Sequence, residues 1–299
     1  DEIKQSFILS EDAEITMEAN PGTVSPKQLK LCHEAGINRI SFGLQSTVQQ
    51  ELDMLGRIHT YEEFLQSYHW ARKAGFSNIN VDLMFAIPGQ TCENWKHNLE
   101  TIAELSPEHI SAYSLIIEEG TPFAQKKLIL PTEDEEYQMY EDTAEILRKY
   151  GFHQYEISNY ARDGFECRHN KGYWQRTEYL GAGLGAASLF QGKRFSNTRD
   201  MQTYLADSTE PEKIREDVTA LSRNNEIEEF MFLGLRMTEG ISERQFERNF
   251  GCRIEDIYGS VLAKYKEMDL LEHTGEFWRF TRKGIHVSNP VLADFLLDE

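Results

Sequence analysis

Hydrophobic and polar positions follow two periods along the first half of the chain. INRISFGLQ (37–45), NINVDLMFAIP (78–88) and HISAYSLII (109–117) are short runs rich in Ile, Val, Leu and Phe, as strands covered on both faces are. Between them lie stretches with helical spacing and readable ends. Ser25 with Gln28, Thr60 with Glu63 and Thr132 with Glu135 form capping boxes, the first with Pro26 at the opening helical position. EAGINRI, KAGFSNI and KYGFHQY repeat one ending: a glycine (Gly36, Gly75, Gly151) just past the helix, an apolar residue, then a strand. AEITMEANP adds a shorter extended run, stopped at Asn20, Pro21 and Gly22, and YEISNYA (155–161) adds a later one. Strand and helix alternating in this way predict a parallel sheet or barrel.

From Glu226 the texture changes. EIEEFMFLGLRM predicts a helix, Ser242 with Gln245 starts a second, residues 254–268 form a third, and FWRFT (277–281) is a strand before the turn at Gly284. Such a unit resembles a small winged-helix module, here without a basic recognition helix, which suits a lid or packing role. Residues 200–224 are polar and charged, contain Pro211, and predict a connecting segment. The expected division is an α/β domain over 1–199, a connector over 200–225 and a helix-rich domain over 226–299.

Polar residues interrupt the strands where chemistry is expected. Glu18, Gln45 and Asp82 sit inside or near the carboxyl ends of three separate runs, and parallel βα folds bind ligands at those ends. A buried carboxylate without a partner costs roughly several kcal/mol, so Glu18 and Asp82 each need a salt bridge or a ligand. Either explains one residue alone; three polar groups on three strands favour a ligand site. Arg57, in LGRIH, is either a surface arginine or a bidentate clamp for a ligand carboxylate.

The densest chemistry lies in ECRHNKGYW (166–174), which combines a thiol, a guanidinium, an imidazole, a carboxamide and two aromatic rings. Imidazole and thiolate bind haem iron, and flat aromatic and guanidinium faces suit a flat conjugated ligand. YLGAGLGAAS (179–188) follows, and its glycines let a backbone approach a ligand closely. The alternative is a loop with a satisfied histidine and a tight turn.

Totals sharpen this picture in three ways. A chain of 299 residues, 40% hydrophobic with 17 Phe and 13 Tyr, has room for a large domain, a small one and a substantial core. Fifty acidic residues against 31 basic ones leave a net charge of −19, which excludes a general nucleic-acid binder and otherwise means solubility. Cys32, Cys92, Cys167 and Cys252 lie at wide, unequal spacings, so no zinc or iron–sulfur site is read from them, and disulfides are not needed. No apolar run approaches membrane-spanning length and DEIKQSF is no signal peptide; the few, scattered cysteines fit a reducing cytosol, so a cytoplasmic location is expected. The chain opens without Met in what reads as the end of a helix, so it is expected to be part of a longer gene product.

EANPGT (18–23), RISFGLQS (39–46), LGRIH (55–59), NVDLMFAIPGQT (80–91), ISAYSLIIEEGTPF (110–123), YEISNYA (155–161) and RFTRKGIHVSNPVLADFL (279–296) resemble the oxygen-independent coproporphyrinogen III oxidase-like branch of the radical SAM proteins. HNKGYW matches the H-N-x-x-Y-W signature of the HemW-type haem chaperones of that branch, which the true oxidases lack. The resemblance spans nearly the whole chain. It implies a (βα)6 radical-SAM-type barrel with a small helix-rich, winged-helix-like C-terminal domain. The barrel is expected to be incomplete, because the chain begins just ahead of what matches the family's third strand. The family's C-x-x-x-C-x-x-C loop, which ligates a [4Fe–4S] cluster, and the glycine-rich turn that holds the methionine part of S-adenosylmethionine (SAM) both precede that strand. None of the four cysteines substitutes, so an intact parent would carry the cluster and this chain is not expected to do radical chemistry.

By the same resemblance, Glu18 and Gln45 hydrogen-bond SAM, Arg57 meets its carboxylate and Asp82 its ribose or amino group. Met84 and Ala187 are apolar contacts to the adenosyl part. His169 is the haem-iron contact, with Tyr173 and Trp174 stacked or packed beside it. Cys167 is a second soft ligand or, preferably, a simple buried thiol. The favoured function is a haem chaperone that binds haem and passes it to acceptor proteins. The alternatives are oxidative decarboxylation of coproporphyrinogen III to protoporphyrinogen IX, or an inert fragment. With the front of the barrel absent, the strand carrying Glu18 becomes an edge, and either self-association, with a homodimer as one form, or a partly disordered edge is expected.

Overall fold

The computed structural model describes residues 2–121 and 123–297. Asp1, Pro122, Asp298 and Glu299, which the expected segments include, lie outside them. Two compact units divide the chain between Cys167 and Arg168. The first runs α1 (Glu2–Ser6), β1 (Thr16–Ala19), α2 (Pro26–Glu34), β2 (Arg39–Gln45), α3 (Gln49–Met54), α4 (Tyr61–Ala74), β3 (Ile79–Phe85), α5 (Cys92–Glu104), β4 (His109–Ser114), α6 (Glu133–Lys149), β5 (His153–Glu156) and β6 (Asn159–Ala161). Its sheet has the order β1-β2-β3-β4-β6-β5. The strands β1 to β4 are parallel, and β6 is antiparallel to both β4 and β5.

The helices begin and end where the sequence says. Ser25, Thr60 and Thr132 each make a full capping box. After α4 the Gly75 N–H bonds the Arg72 carbonyl and the Phe76 N–H reaches back to Ala71, both at 3.1 Å. The same pair of bonds recurs at Gly36 with Ile37 and at Gly151 with Phe152. All three glycines have φ between 84° and 108°, which a Cβ would strain. YEISNYA, expected as one strand, is two: the Glu156 carboxylate accepts from the Ser158 N–H and the Asn159 amide, turning the chain so that β6 pairs back on β5.

Both faces of the central strands are largely buried, but their chemistry differs. Ile40, Phe42, Leu44, Ile79, Val81, Leu83 and Ile110 have no exposed surface and pack with Phe64, Trp95, Leu99 and Leu147 of the helices; each such side chain contributes about 1.5–3 kcal/mol. The alternating positions, which include Arg39, Ser41, Asn80, Asp82, His109 and Ser111, carry polar groups on the other face. The runs expected to be apolar on both sides are apolar on one.

The second unit runs α7 (Arg168–Trp174), β7 (Ala187–Phe190), β8 (Lys193–Asn197), α8 (Met201–Asp207), α9 (Pro211–Ile214), β9 (Arg215–Ala220), α10 (Arg223–Gly234), β10 (Ile241–Ser242), α11 (Glu243–Phe250), α12 (Ile254–Glu267), β11 (Leu271–Thr274), β12 (Phe277–Phe280), α13 (Arg282–His286) and α14 (Ser288–Ala293). Antiparallel β7-β8-β9 form one sheet and β10-β12-β11 another. Phe230, Met231, Phe246, Tyr258, Leu262, Trp278 and Phe280 fill the core between the second sheet and α10 to α12. Residues 200–225, expected as a connector, instead fold as α8, α9 and β9. The strand β9 is mostly exposed, so its polar composition reads as loop while its backbone completes a sheet. The expected boundary at 199 thus falls within folded structure.

Candidate functional site

The expected cofactor residues of the first unit meet in two pairs. Glu18 on β1 lies in register with Ser41 on β2, and Ser41 Oγ donates to Asp82 Oδ2 at 3.0 Å. Asn80 Nδ2 donates to Asp82 Oδ1 at 2.8 Å. Burial pushes the Asp82 carboxyl above its ordinary range; the hydrogen bonds from Asn80 and Ser41 pull it back, and the charge of Glu18 adds to the upward push. The second pair surrounds Gly43. A Cβ there would lie 3.3 Å from Gln45 Nε2, 3.8 Å from Asn20 Oδ1 and 4.0 Å from Arg57 Nη2. Arg57 Nη1 donates to Asn20 Oδ1 at 3.4 Å. Met84 is half-buried on β3, opposite Tyr113.

One expectation needs correction. Glu18 is exposed, so it carries no burial penalty and needs no partner on that ground; β1 is the edge strand and leaves it open. Gln45 is the buried member, 7% exposed at φ 75°, and its Oε1 meets no donor among the described residues. An orphaned amide oxygen, an open carboxylate and a guanidinium with one long contact suit a ligand carrying both ammonium and carboxylate.

Residues missed by the sequence reading hold this mouth in shape. Glu51 Oε2 accepts from Ser46 Oγ at 2.6 Å, Gln90 Nε2 at 2.9 Å and Asn98 Nδ2 at 3.2 Å, tying the loops after β2 and β3 to α5. His59 Nε2 donates to the Leu44 carbonyl at 3.1 Å and so anchors LGRIH, with Arg57, to the end of β2. Burial lowers the His59 pKa, keeping the ring neutral. The paired Ser46 and Glu51, five residues apart, were the available signal, but a polar pair across a loop has no period.

In the second unit His169 and Tyr173 lie one turn apart on α7, as expected. Their rings meet edge to face at 4.5 Å, and Tyr173 meets Tyr179 at 4.7 Å in the same way. His169 is exposed and Tyr173 is 37% exposed. Arg194 Nη1 donates to the Tyr179 hydroxyl at 3.5 Å. Arg194 and Arg176 grip the buried Glu229 of α10 at 2.5 Å and 2.9 Å. Burial pushes the Glu229 carboxyl up, but the two guanidiniums outweigh it and hold it below the usual range.

Trp174 departs from the expected haem set. Five residues past His169, it lies roughly 140° further round the helix, packed under Arg236 at 4.5 Å and lining a cavity with Phe230, Gly234, Met237 and Phe277. The glycine run also serves another purpose than expected. A Cβ on Gly181 would overlap the Ala187 carbonyl oxygen, and Asn197 Nδ2 bonds the carbonyls of Gly181 and Gly183 at 3.1 Å and 3.0 Å. The close approach is to the chain's own backbone at β7, where Ala187 is exposed. Cys167 is buried at the end of the first unit, with Sγ 3.5 Å from Glu14 Oε1.

The four cysteines do not gather, and no group of three or more His, Cys, Asp or Glu suited to a metal ion forms among the described residues. The described residues therefore hold no ligand set that fits a [4Fe–4S] cluster. Among those residues no helix is long and apolar enough to cross a membrane.

Known proteins share both units. A model of the radical SAM superfamily matches residues 1–102, and a model of the HemN C-terminal domain matches residues 221–287. The chain is 39% identical over 290 residues to the haem chaperone HemW of Lactococcus lactis subsp. lactis, covering 96% of this chain and 76% of that one. It is 38% identical over 291 residues to HemW of Bacillus subtilis, covering 96% and 77%. The solved structure of coproporphyrinogen III oxidase (HemN) from Escherichia coli, described as a radical SAM enzyme, matches with a TM-score of 0.84 over 98% of this chain and 72% of that one. At 21% identity, that likeness carries the fold alone.

Proposed function

The chain belongs to the HemW family of haem chaperones within the radical SAM superfamily, and we propose that it divides two ligands between its two units. The superfamily implies SAM and a [4Fe–4S] cluster. In the first unit Glu18 and Asp82 take the ammonium and ribose hydroxyls of SAM, Arg57 its carboxylate, and Gln45 a donor on the ligand, with Met84 beside the adenosyl part. SAM supplies methionyl and adenosyl groups to recognise; the residues of this chain bind and orient them.

In the second unit His169 holds haem iron, Tyr173 lies against the macrocycle, and Tyr179 backs Tyr173. Trp174 acts from behind, fixing α7 against α10. The observation that carries this reading is the ring ladder of exposed His169 and Tyr173 and half-buried Tyr179, set on the buried Glu229 with its two arginines. An exposed imidazole can bind iron and release it to an acceptor protein, which a deep pocket would hinder. A cytoplasmic location suits a chain with a reduced-thiol composition.

Optical titration with haemin tests it. The 299-residue chain should shift and sharpen the Soret band, and His169→Ala should abolish that change while the far-UV signal stays intact. An unchanged spectrum and affinity in His169→Ala would remove His169 from the site.

A further inference from the structure

The polar face of the first unit's sheet carries a continuous line of hydrogen bonds ending at Asp82. It starts at the Cys167 backbone N–H, which donates to the Tyr155 hydroxyl at 3.3 Å. That hydroxyl lies 2.8 Å from His109 Nε2, and His109 Nδ1 lies 2.5 Å from Asn80 Oδ1. Asn80 Nδ2 spends its two hydrogens on Ser41 Oγ and Asp82 Oδ1, each at 2.8 Å. Ser41 Oγ donates to Asp82 Oδ2 at 3.0 Å. Every intermediate side chain is buried: His109 is 0% exposed, Asn80 2%, Tyr155 5% and Ser41 6%.

The chemistry of one end fixes the direction of every bond. An ionised carboxylate only accepts, so Ser41 and Asn80 must donate to Asp82. That turns the Asn80 carbonyl oxygen toward His109, whose Nδ1 must then carry the proton. A neutral ring protonated at Nδ1 offers a lone pair at Nε2, which takes the Tyr155 hydroxyl proton. The Tyr155 oxygen in turn takes the Cys167 N–H. Burial, with the nearby charge of Arg39, holds His109 well below its ordinary pKa and so in that neutral form. Ser111 Oγ adds a second donor to Asn80 Oδ1, at 3.2 Å.

We propose that His109 is a positioning residue for Asp82: through Asn80 it fixes the carboxylate's orientation and keeps it an acceptor for the hydroxyl or ammonium groups of a bound adenosyl ligand. This rests on the reading of Asp82 as a SAM contact. Losing the His109 donor leaves the Asn80 oxygen to Ser111 alone, so the amide that donates to the carboxylate is held less firmly and its bond to Asp82 weakens. Asp82 then has every reason to take up a proton.

Carboxyl carbon NMR of Asp82 in the 299-residue chain reads the relay without any ligand. In His109→Leu the Asp82 titration should move to higher pH, and calorimetric affinity for SAM should fall about tenfold, the worth of one charge-assisted bond. His109→Asn, which keeps an N–H at the Nδ1 place, should restore both. Tyr155→Phe leaves the imidazole in place and removes only its hydroxyl partner; it should move the Asp82 titration the same way by less, and it serves if His109→Leu does not fold. Asp82→Asn separates the two ways of failing. If it leaves SAM affinity unchanged, the ligand role of Asp82 falls and the proposal with it. If it weakens SAM while His109→Leu and Tyr155→Phe leave the Asp82 titration where it was, the relay is wrong and the ligand role stands.

Discussion

In the sheet of the first unit Asp82, mid-way along β3, is held from two sides by Ser41 and Asn80, and Gln45, at the end of β2, is 7% exposed with an oxygen that meets no donor among the described residues. On α7 of the second unit His169 is exposed and Tyr173 is 37% exposed, with the fixed charges set behind them at Glu229. The first arrangement orders its polar groups before a ligand arrives, so binding costs little reorganisation. The second keeps its rigid part in the scaffold and leaves the ring proposed to ligate haem on an exposed face. Under the proposed division of ligands, a cofactor that stays and a cargo that leaves ask for this difference.

The largest effect should follow from loosening the scaffold of the second unit. Glu229→Ala leaves Arg176 and Arg194 without their shared carboxylate, and should lower stability by about 3 kcal/mol in urea unfolding. The haem spectrum should broaden with it as Tyr179 loses its anchor. A loss under about 1 kcal/mol would mean that the pair is solvated and the contrast between the regions is weaker than drawn. On the other side, Thr60→Ala removes the α4 cap, whose hydroxyl accepts from the Glu63 N–H at 3.2 Å. It should cost about 1 kcal/mol and leave haem binding alone.

Acid should separate the regions further. The folded pKa of His109 lies below the 6.5 of the unfolded chain, so below that pH the unfolded state binds a proton that the folded state refuses. Its contribution is complete above 6.5 and is lost as pH falls towards the folded value. Stability of the first unit, followed by amide exchange at the β3 and β4 strands, should therefore drop on acidification, and His109→Asn should flatten the slope. On the exposed face of α7, His169→Ala should change stability by less than about 0.5 kcal/mol. The smallest effect is expected at β1, the edge of its sheet, near the exposed Ile3, Phe7 and Ile8. Weak self-association should appear in light scattering as concentration rises and be suppressed by Thr16→Lys. A monomer throughout would remove the edge from consideration.

The sequence reading was strongest where one residue type has one use. Ser25, Thr60 and Thr132 opened helices, and Gly36, Gly75 and Gly151 closed them, because caps and left-handed residues act locally. The placement of Gln45 at the end of its strand was legible from the βα pattern, whereas Asp82, expected towards a strand end, lies mid-way along β3. The relay was not legible: Asn80 and His109 are far apart in sequence and meet only where β3 pairs with β4, and Tyr155 of β5 is brought to them by β6, which pairs with both β4 and β5. Glu18 read as buried because the alternation of an edge strand looks like that of a central one. The polar strand β9 read as a connector because a strand with no apolar face leaves no periodic signal. Trp174 read as part of the haem face because adjacency in sequence hides the turn of the helix.

The division of ligands is tested most directly by one crossed titration, with haemin followed at the Soret band and SAM followed by calorimetry, on wild type, His169→Ala and Asp82→Asn. His169→Ala should lose the haem signal and keep the wild-type SAM affinity, while Asp82→Asn should lose SAM affinity and keep the haem signal. If His169→Ala still binds haem with the wild-type spectrum, or if Asp82→Asn abolishes haem binding in a folded chain, the two units do not divide the ligands in this way.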